Sequence, residues 1–399
     1  MTAEHAVIVA ARRTPIGRLG GALRHLPVEA LAAPVLNALL ADAGVAADEI
    51  DDVILGNAAG PGGNPARLAA LAAGFPIEVP GVTIDRQCGS GLEAINLAAR
   101  LIQAGAGEMY IAGGVESAST APWRVERPPS LYRTPRIYER ARFAPDSIGD
   151  PDMGVAAEDV ARQYGISRER QDRYALGSHL KAVASQRNGR FEDEIVPLCD
   201  PVTGLVATDE CPRADTSMER LALLPPAFVP DGRVTAGNSC PINDGAAAVL
   251  IVSAARFQTM AARTGLRVRD STAAGVHPRL LGTGPIAATR ALLARNPGVT
   301  ADAVDLVEFN EAFAAQVLAC LDALAIPETK VNQGGGAIAL GHPFGASGAI
   351  LAVRLFTDMV RRGASAARPS LGLATLGVAG GLGVSTLFET IPSNEGRVE

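Results

Sequence analysis

Two separated stretches of this 399-residue chain, 1–118 and 266–392, carry the same order of short apolar runs and Ala/Leu-rich segments stopped by glycine. In the first, His5 to Ala11 predicts a strand and Val28 to Ala43 a helix ending at Gly44. Val53 to Gly56 and Val82 to Asp85 predict two more strands. Leu92, Ile95, Ala98, Leu101 and Ile102 mark one side of a helix that stops at Gly105, and Met109 to Ala112 is a buried strand. In the second, Val268 to Ala273 is strand-like and Pro285 opens a helix at the favoured first position. Leu306 to Phe309 reads as a strand leading into a helix from Glu311, and Ala346 to Arg362 as a helix stopped by Gly363. Leu371 to Leu376 and Val384 to Phe388 would pair as a hairpin around a Gly-rich turn. Strands alternating with helices predict parallel pairing in an α/β sheet covered on both faces. The like order of the halves predicts an internal duplication.

The chain is 48% hydrophobic, enough apolar material for two or three domains. With 36 basic against 42 acidic residues there is no excess of the kind that marks a nucleic-acid binder. No run approaches the ~20 apolar residues that span a bilayer, and Met1 to Arg12 lacks the pattern of a leader, so a soluble cytoplasmic protein is expected. Cys88, Cys199, Cys211, Cys240 and Cys320 are odd in number and never spaced as CxxC, which predicts neither a disulfide framework nor a metal site. Between the halves, Pro122 to Pro151 holds Arg124, Arg127, Arg133, Arg136, Arg140 and Arg142 among six prolines. A long irregular excursion like this is either a solvated surface loop or a lid that attracts phosphates.

Three residues stand where chemistry is expected. Cys88, in Asp85-Arg86-Gln87-Cys88-Gly89-Ser90-Gly91-Leu92, follows a strand and opens a helix. Backbone N–H groups at a helix start stabilise a thiolate and lower its pKa, and the glycines admit a substrate carbonyl. A lone cysteine is more often core packing; this position suits a nucleophile better. His342 is held in Gly341-His342-Pro343-Phe344-Gly345 just ahead of a helix. It either caps a turn or serves as the base for a thiol. Asn310, in Asn310-Glu311-Ala312-Phe313, could cap a helix, or orient a water or an oxyanion.

With these strings, the chain resembles the thiolases essentially end to end. The resemblance begins at Arg12-Arg13-Thr14-Pro15-Ile16-Gly17 and passes through Gly237-Asn238, Asn243-Asp244-Gly245-Ala246-Ala247-Ala248 and Gly282-Thr283-Gly284-Pro285 to the C-terminal hairpin. It implies an α/β fold of the thiolase type, a duplicated five-layer α/β/α/β/α arrangement with an inserted loop domain. The halves would be 1–118 with about 246–265 (carrying Cys88) and 266–392 (carrying Asn310 and His342). The CoA-facing loop domain would span 119–245, leaving a tail at 393–399. It implies Cys88 as acyl-accepting nucleophile, His342 as its base and an oxyanion donor, and Asn310 as holder of an oxyanion-hole water. The second oxyanion hole would be the backbone N–H groups of Cys88 and Ala379. Met153, Cys240 and Phe313 are expected near the substrate or CoA. A coenzyme A thioester, or one on an acyl carrier protein, would be the substrate, with no tightly bound cofactor, and the assembly a homodimer or homotetramer.

One departure bears on the reaction. Thiolases of this type carry a second cysteine at the start of the C-terminal Gly-rich turn, where it takes the α-proton of the second acyl-CoA. Gly377 stands there in Leu376-Gly377-Val378-Ala379-Gly380-Gly381, and glycine accepts no proton. Milder departures are Cys240 for a common Ser, Pro225 near a common Arg, Asp152 for a His, and His277 for a common Asp. The expected function is acyl transfer through Cys88 for reversible Claisen condensation and thiolysis of 3-ketoacyl-CoA, with the condensation base missing. The alternatives are decarboxylative condensation or transfer to a non-carbon acceptor and, further back, a non-catalytic binding subunit.

Overall fold

The computed structural model describes residues 5–130, 132–138, 140–262, 264–362 and 370–392. The expected tail at 393–399 and the helix stop at Gly363 lie outside them. Nine strands follow one another across a single sheet in the order Leu306–Phe309, Leu371–Val378, Leu382–Pro392, Thr264–Gly275, Ala6–Arg13, Asn243–Ser253, Met109–Ser117, Asp52–Gly56, Gly81–Ile84. A two-residue strand, Gly17–Arg18, joins the side of Asn243–Ser253. The two halves meet where Ala6–Arg13 pairs with Thr264–Gly275.

Parallel pairing, expected of the strands that alternate with helices, is confined to the two ends of this sheet: Leu306–Phe309 with Leu371–Val378, and Asp52–Gly56 with Gly81–Ile84 and Met109–Ser117. The central pairs are antiparallel. Leu371–Val378 and Leu382–Pro392 are separated by only three residues, and so short a connection can only reverse the chain. Gly380 and Gly381 turn it at φ +83° and +82°, open to glycine at little cost.

The cores reveal the layering. One apolar cluster joins the helices Ser90–Gln103 and Phe344–Phe356 to residues on both half-sheets, from Ile8, Ala112 and Ile251 to Leu376, Val384 and Phe388. A second packs the other face of the N-terminal half against Val28–Ala43 and Pro65–Ala72. A third packs the other face of the C-terminal half against Gly284–Arg295 and Ala314–Leu324. Helices, sheet, helices, sheet, helices: five layers. The two central helices cross closely because Gly91 and Gly348 carry no side chain. A Cβ at Gly91 would lie 2.7 Å from the Gly345 carbonyl oxygen, and one at Gly348 would lie 2.5 Å from the Leu92 nitrogen.

Between the strands Met109–Ser117 and Asn243–Ser253 the chain leaves the sheet and builds the helices Met153–Gln163 and Arg168–Arg187. A buried ion cluster ties this insertion to the first strand. Arg13 donates to Glu194 at 2.9 Å and to Asp209 at 2.7 Å, and Arg354 donates to Glu194 at 2.9 Å.

Candidate active site

Cys88 sits on the turn between the strand Gly81–Ile84 and the helix Ser90–Gln103. Ser90 Oγ accepts from the Arg86 N–H and donates to the Gln87 carbonyl, while Asp85 Oδ1 accepts from the Gln87 N–H, all within 2.6–2.7 Å. These bonds hold Gln87 at φ +47°, a conformation that a non-glycine residue adopts only when its surroundings fix it. The side chain of Cys88 packs against the central core. Burial pushes its thiol up to about 12, against the pull of its own N–H and of the Ala379 N–H. The helix start was expected to lower this pKa; desolvation outweighs it, because the dry surroundings penalise a thiolate more than two donors favour one.

His342 reaches the same place from the other half. Its loop lies against the start of the Cys88 helix through the contact of Gly91 with Gly345. The His342 N–H donates to Asn243 Oδ1 at 2.8 Å, and Asn243 donates in turn to the Gly17 carbonyl. Nδ1 lies 2.6 Å from Ser347 Oγ, whose own proton goes to the Pro343 carbonyl at 2.9 Å. Ser347 therefore accepts, Nδ1 carries the hydrogen, and Nε2 keeps its lone pair. Burial pushes this imidazole down to about 4, so it rests neutral. Asn310 Nδ2 stands 3.4 Å from Nε2.

Asn310 does not cap a helix. The expected helix from Glu311 starts only at Ala314, with Phe313 extended at φ −145° in a bridge to Ser239. Glu311 instead accepts from Tyr174, Ser178, Asn332 and the Ile338 N–H, fixing the insertion against the loop that leads to His342. Glu116 has the matching role on the other side. It accepts from the N–H groups of Ala58, Ala59 and Gly345 at 3.0–3.1 Å, and burial raises its pKa. Sequence reasoning gave neither Glu116 nor Ser347 a role. Ser347 sits five residues past His342, a spacing that could have signalled it; Glu116 carries no local signal.

A cleft of about 740 Å³ opens beside these residues, lined by Cys240, Phe228, His179 and Ile338, with Arg18, Arg213 and Arg220 toward its rim. Cys240 therefore faces the cleft, and desolvation raises its thiol pKa, with the charge of Cys88 adding to the rise. Phe313 backs the cleft by packing edge-on against Phe228, ring centres 5.9 Å apart. Met153 begins the helix whose Gly154 lies flat against the Phe228 ring. Gly377, the last residue but one of the strand Leu371–Val378, pairs with Gly383.

The excursion forms a small hairpin, Arg124–Glu126 with Arg136–Tyr138. Several of its arginines bind acids of the same segment rather than standing ready for phosphate: Arg136 with Glu126, Arg140 with Asp150, and Arg142 with Asp146.

Residues 6–255 match the family description "Thiolase, N-terminal domain" and residues 262–390 match "Thiolase, C-terminal domain". A protein of Staphylococcus aureus (strain MRSA252), provisionally named acetyl-CoA C-acetyltransferase VraB, is 46% identical over 388 residues, covering 96% of this chain and 99% of its own. Its counterpart in Staphylococcus haemolyticus is 45% identical over 389 residues, 97% of this chain and 99% of its own. The crystal structure of the Bacillus anthracis acetyl-CoA acetyltransferase aligns with a TM-score of 0.88 at 40% identity, over 98% of this chain and 100% of that one.

Proposed function

We propose, given that this chain belongs to the thiolase family, that it takes the acyl group of an acyl-CoA onto Cys88 and passes it on by reversible Claisen condensation and thiolysis of 3-ketoacyl-CoA. Family membership makes it a thiolase-type acyltransferase with the thiolase fold. The observation that supports the acyl-enzyme step is the packing of the Cys88 turn on the end of the strand Leu371–Val378, where a Cβ at Gly89 would lie 2.9 Å from Val378 Cγ2, next to the Ala379 N–H that with the Cys88 N–H favours the thiolate. Donors placed there meet the oxygen of a tetrahedral adduct formed on that sulfur. As the Sγ–C bond forms, the thiol proton passes to His342 Nε2, and the Nδ1–H bond to Ser347 steadies the resulting imidazolium. The leaving CoA sulfur takes that proton when the adduct collapses. Asn310 Nδ2, beside Nε2, is placed to help hold a water or an oxyanion.

The second half-reaction is where this chain departs from its family. With no side chain at Gly377, the usual base for the α-proton is missing. Proton abstraction by a placed side chain is worth ~10²–10⁴ in rate, so ordinary condensation should be slow while acylation persists. That absence favours a second reading, in which the attacking carbon arises by loss of CO₂.

The cleft, with Cys240, Phe228 and the arginines at its rim, supports a CoA or carrier-protein thioester as donor, with Met153 and Phe313 behind it. We assign residues 1–118 with about 246–265 and 266–392 to the two halves and 119–245 to the loop domain. Trp123, Val125, Tyr132 and Ile137, at 86%, 57%, 99% and 62% exposure on one hairpin, support a homodimer or homotetramer. Among the described residues no helix is long and apolar enough to cross a membrane, and the five free cysteines fit a reducing cytoplasm.

The test is to incubate the protein with acetyl-, acetoacetyl- and malonyl-CoA, then to follow Cys88 acylation by intact mass and α-proton exchange in deuterated water. Acylation with exchange supports condensation by proton removal. Acylation with CO₂ release but no exchange supports the second reading. An unmodified Cys88 refutes both.

A further inference from the structure

A second, smaller cavity of about 20 Å³ is lined, among others, by Glu308, Asn310, Ser347 and Arg354. Two of these stand at the ring of His342, Ser347 at Nδ1 and Asn310 at Nε2. Two elements bring the four together. Along the strand Leu306–Phe309, Leu306 packs into the central core, while Val307 and Phe309 pack into the outer core of the C-terminal half. By the two-residue alternation of a strand, Glu308 shares the central side with Leu306, and Asn310 continues it, its N–H bonded to the Thr375 carbonyl at 3.1 Å. Ser347 and Arg354 stand about two turns apart on one face of the central helix Phe344–Phe356. Arg354 is 1% exposed and gives Nη1 to Glu194 at 2.9 Å, but its Nε and Nη2 are buried with no hydrogen-bond partner. Glu308 is 4% exposed, and burial pushes its carboxyl up to about 8, with Asp358 and Glu194 adding to the rise and Arg354 and Arg190 opposing it. At pH 7 it is therefore a neutral acid, able both to donate and to accept. Buried polar atoms left unpaired are costly, and they mark the place of a ligand or a water. Roughly 10–15 Å³ is enough for one water, so this cavity has room for one and for nothing the size of a substrate.

We infer that this cavity is a water site, in which one water accepts from Arg354 and donates to Glu308 and to Asn310 Oδ1, so that Glu308 is a positioning residue acting through Asn310. An amide can present either end to its neighbour. His342 Nε2 keeps a lone pair, so Nδ2 of Asn310 belongs opposite it. A flipped amide would set Oδ1 against that lone pair and remove the donor that an oxyanion or its water needs. A donor to Oδ1 holds the first orientation against the second. A water tied to the guanidinium supplies that donor, and its other hydrogen goes to the carbonyl oxygen of Glu308. Three bonds are what an internal water ordinarily makes. Arg354 is itself held, by Glu194 and by the Phe191 ring, whose centre lies 4.5 Å from its guanidinium carbon, so the water takes a fixed place. The neutrality of Glu308 serves the same end, because a carboxylate there would set a negative charge behind the atoms that hold an oxyanion. The water site stands apart from the acyl-enzyme reading; its effect on rate rests on that reading.

Two measurements test the site and its effect separately. A high-resolution crystal structure of the unaltered protein is expected to show one water at about 2.7–3.2 Å from Arg354, Glu308 and Asn310 Oδ1. Cys88 acetylation is then compared in Glu308→Met and Glu308→Gln, two side chains of similar length that differ in polarity. Glu308→Met takes away the polar partner of the water and is expected to slow the saturating rate about tenfold, with half-saturation by acetyl-CoA moved less than about twofold. Glu308→Gln keeps a neutral donor and acceptor and is expected to restore the rate to within about threefold of the parent. Circular dichroism confirms folding, and the crystal structure carries the test where Glu308→Met does not fold. A dry cavity, or a water there that does not touch Asn310, would overturn the site. Equal losses in the two variants, no loss in either, or a loss appearing wholly in half-saturation would overturn the positioning role. If Cys88 of the unaltered protein stays unmodified, the acyl-enzyme reading fails, and the crystal structure alone decides the inference.

Discussion

Removing the Ser347 hydroxyl isolates the contribution of its bond to His342. In the resting enzyme Ser347 Oγ accepts from Nδ1 at 2.6 Å as a neutral pair, worth about 1 kcal/mol net. Once His342 holds the Cys88 proton, the same bond has a cationic donor and is worth about 1.5–3 kcal/mol. The difference, about 0.5–2 kcal/mol, exists only on the way to the acyl-enzyme. Ser347→Ala should therefore slow Cys88 acetylation at saturating acetyl-CoA by about 2- to 30-fold. The acetyl-CoA concentration at half-saturation should move little, because Ser347 touches the imidazole and not the cleft. Loss of the bond to the Pro343 carbonyl should cost less than about 4 °C in Tm. Stopped-flow quenching followed by intact mass measures the rate, and thermal unfolding measures the rest. A saturating rate within twofold of the parent, or a loss appearing wholly in half-saturation, would refute the tautomer argument.

Two further predictions concern the second half-reaction and the ion cluster. Gly377→Cys should raise thiolysis of acetoacetyl-CoA by about 10²–10⁴, once the end of Gln316 swings away from the new Cβ; no gain would mean that the pocket has diverged beyond this residue. Glu194→Gln should destabilise the protein by about 3–5 kcal/mol in urea at pH 7, because it takes from the buried Arg354 its ion pair and leaves the buried Arg13 with Asp209 alone. Although burial opposes it, the two arginines hold Glu194 down to about 2 against an ordinary 4.5, so this stability is fully present above about pH 4.5 and is lost as pH falls through about 2. The gap between variant and parent should close across that window, and a gap independent of pH would exclude the charge as its cause.

Local signals read well where they were strong. Val28–Ala43 ends where expected because Gly44 takes φ +64° and donates back to the Leu40 carbonyl, and Leu306–Phe309 agrees to the residue. Asn243–Ser253 carries no clear strand signal of its own, since it opens on Asn, Asp, Gly and three alanines. Its strand character comes from long-range pairing with Ala6–Arg13 and Met109–Ser117. Strand direction is legible in the C-terminal hairpin and not at the centre of the sheet, because alternation of helix and strand says nothing about which distant strand lies alongside. At the site, the turn residues Cys88, His342 and Asn310 announce themselves through glycine-rich strings. Glu116 does not, because its partner Gly345 is 229 residues away.

The reversed thiol pKa changes how the two halves of the reaction relate. With Cys88 pushed up to about 12 and His342 down to about 4, the resting pair is a thiol and an imidazole, and no stored ion pair waits for substrate. On the mechanism proposed, charge arises only as the sulfur attacks, and it passes at once to a carbonyl oxygen near the Cys88 and Ala379 N–H groups. The same dryness would work against a second thiol as a base: Cys240, beside the cleft, is also pushed up by burial. A site this desolvated generates a carbanion more readily by releasing neutral CO₂ from a charge already present than by creating a new thiolate to remove a proton.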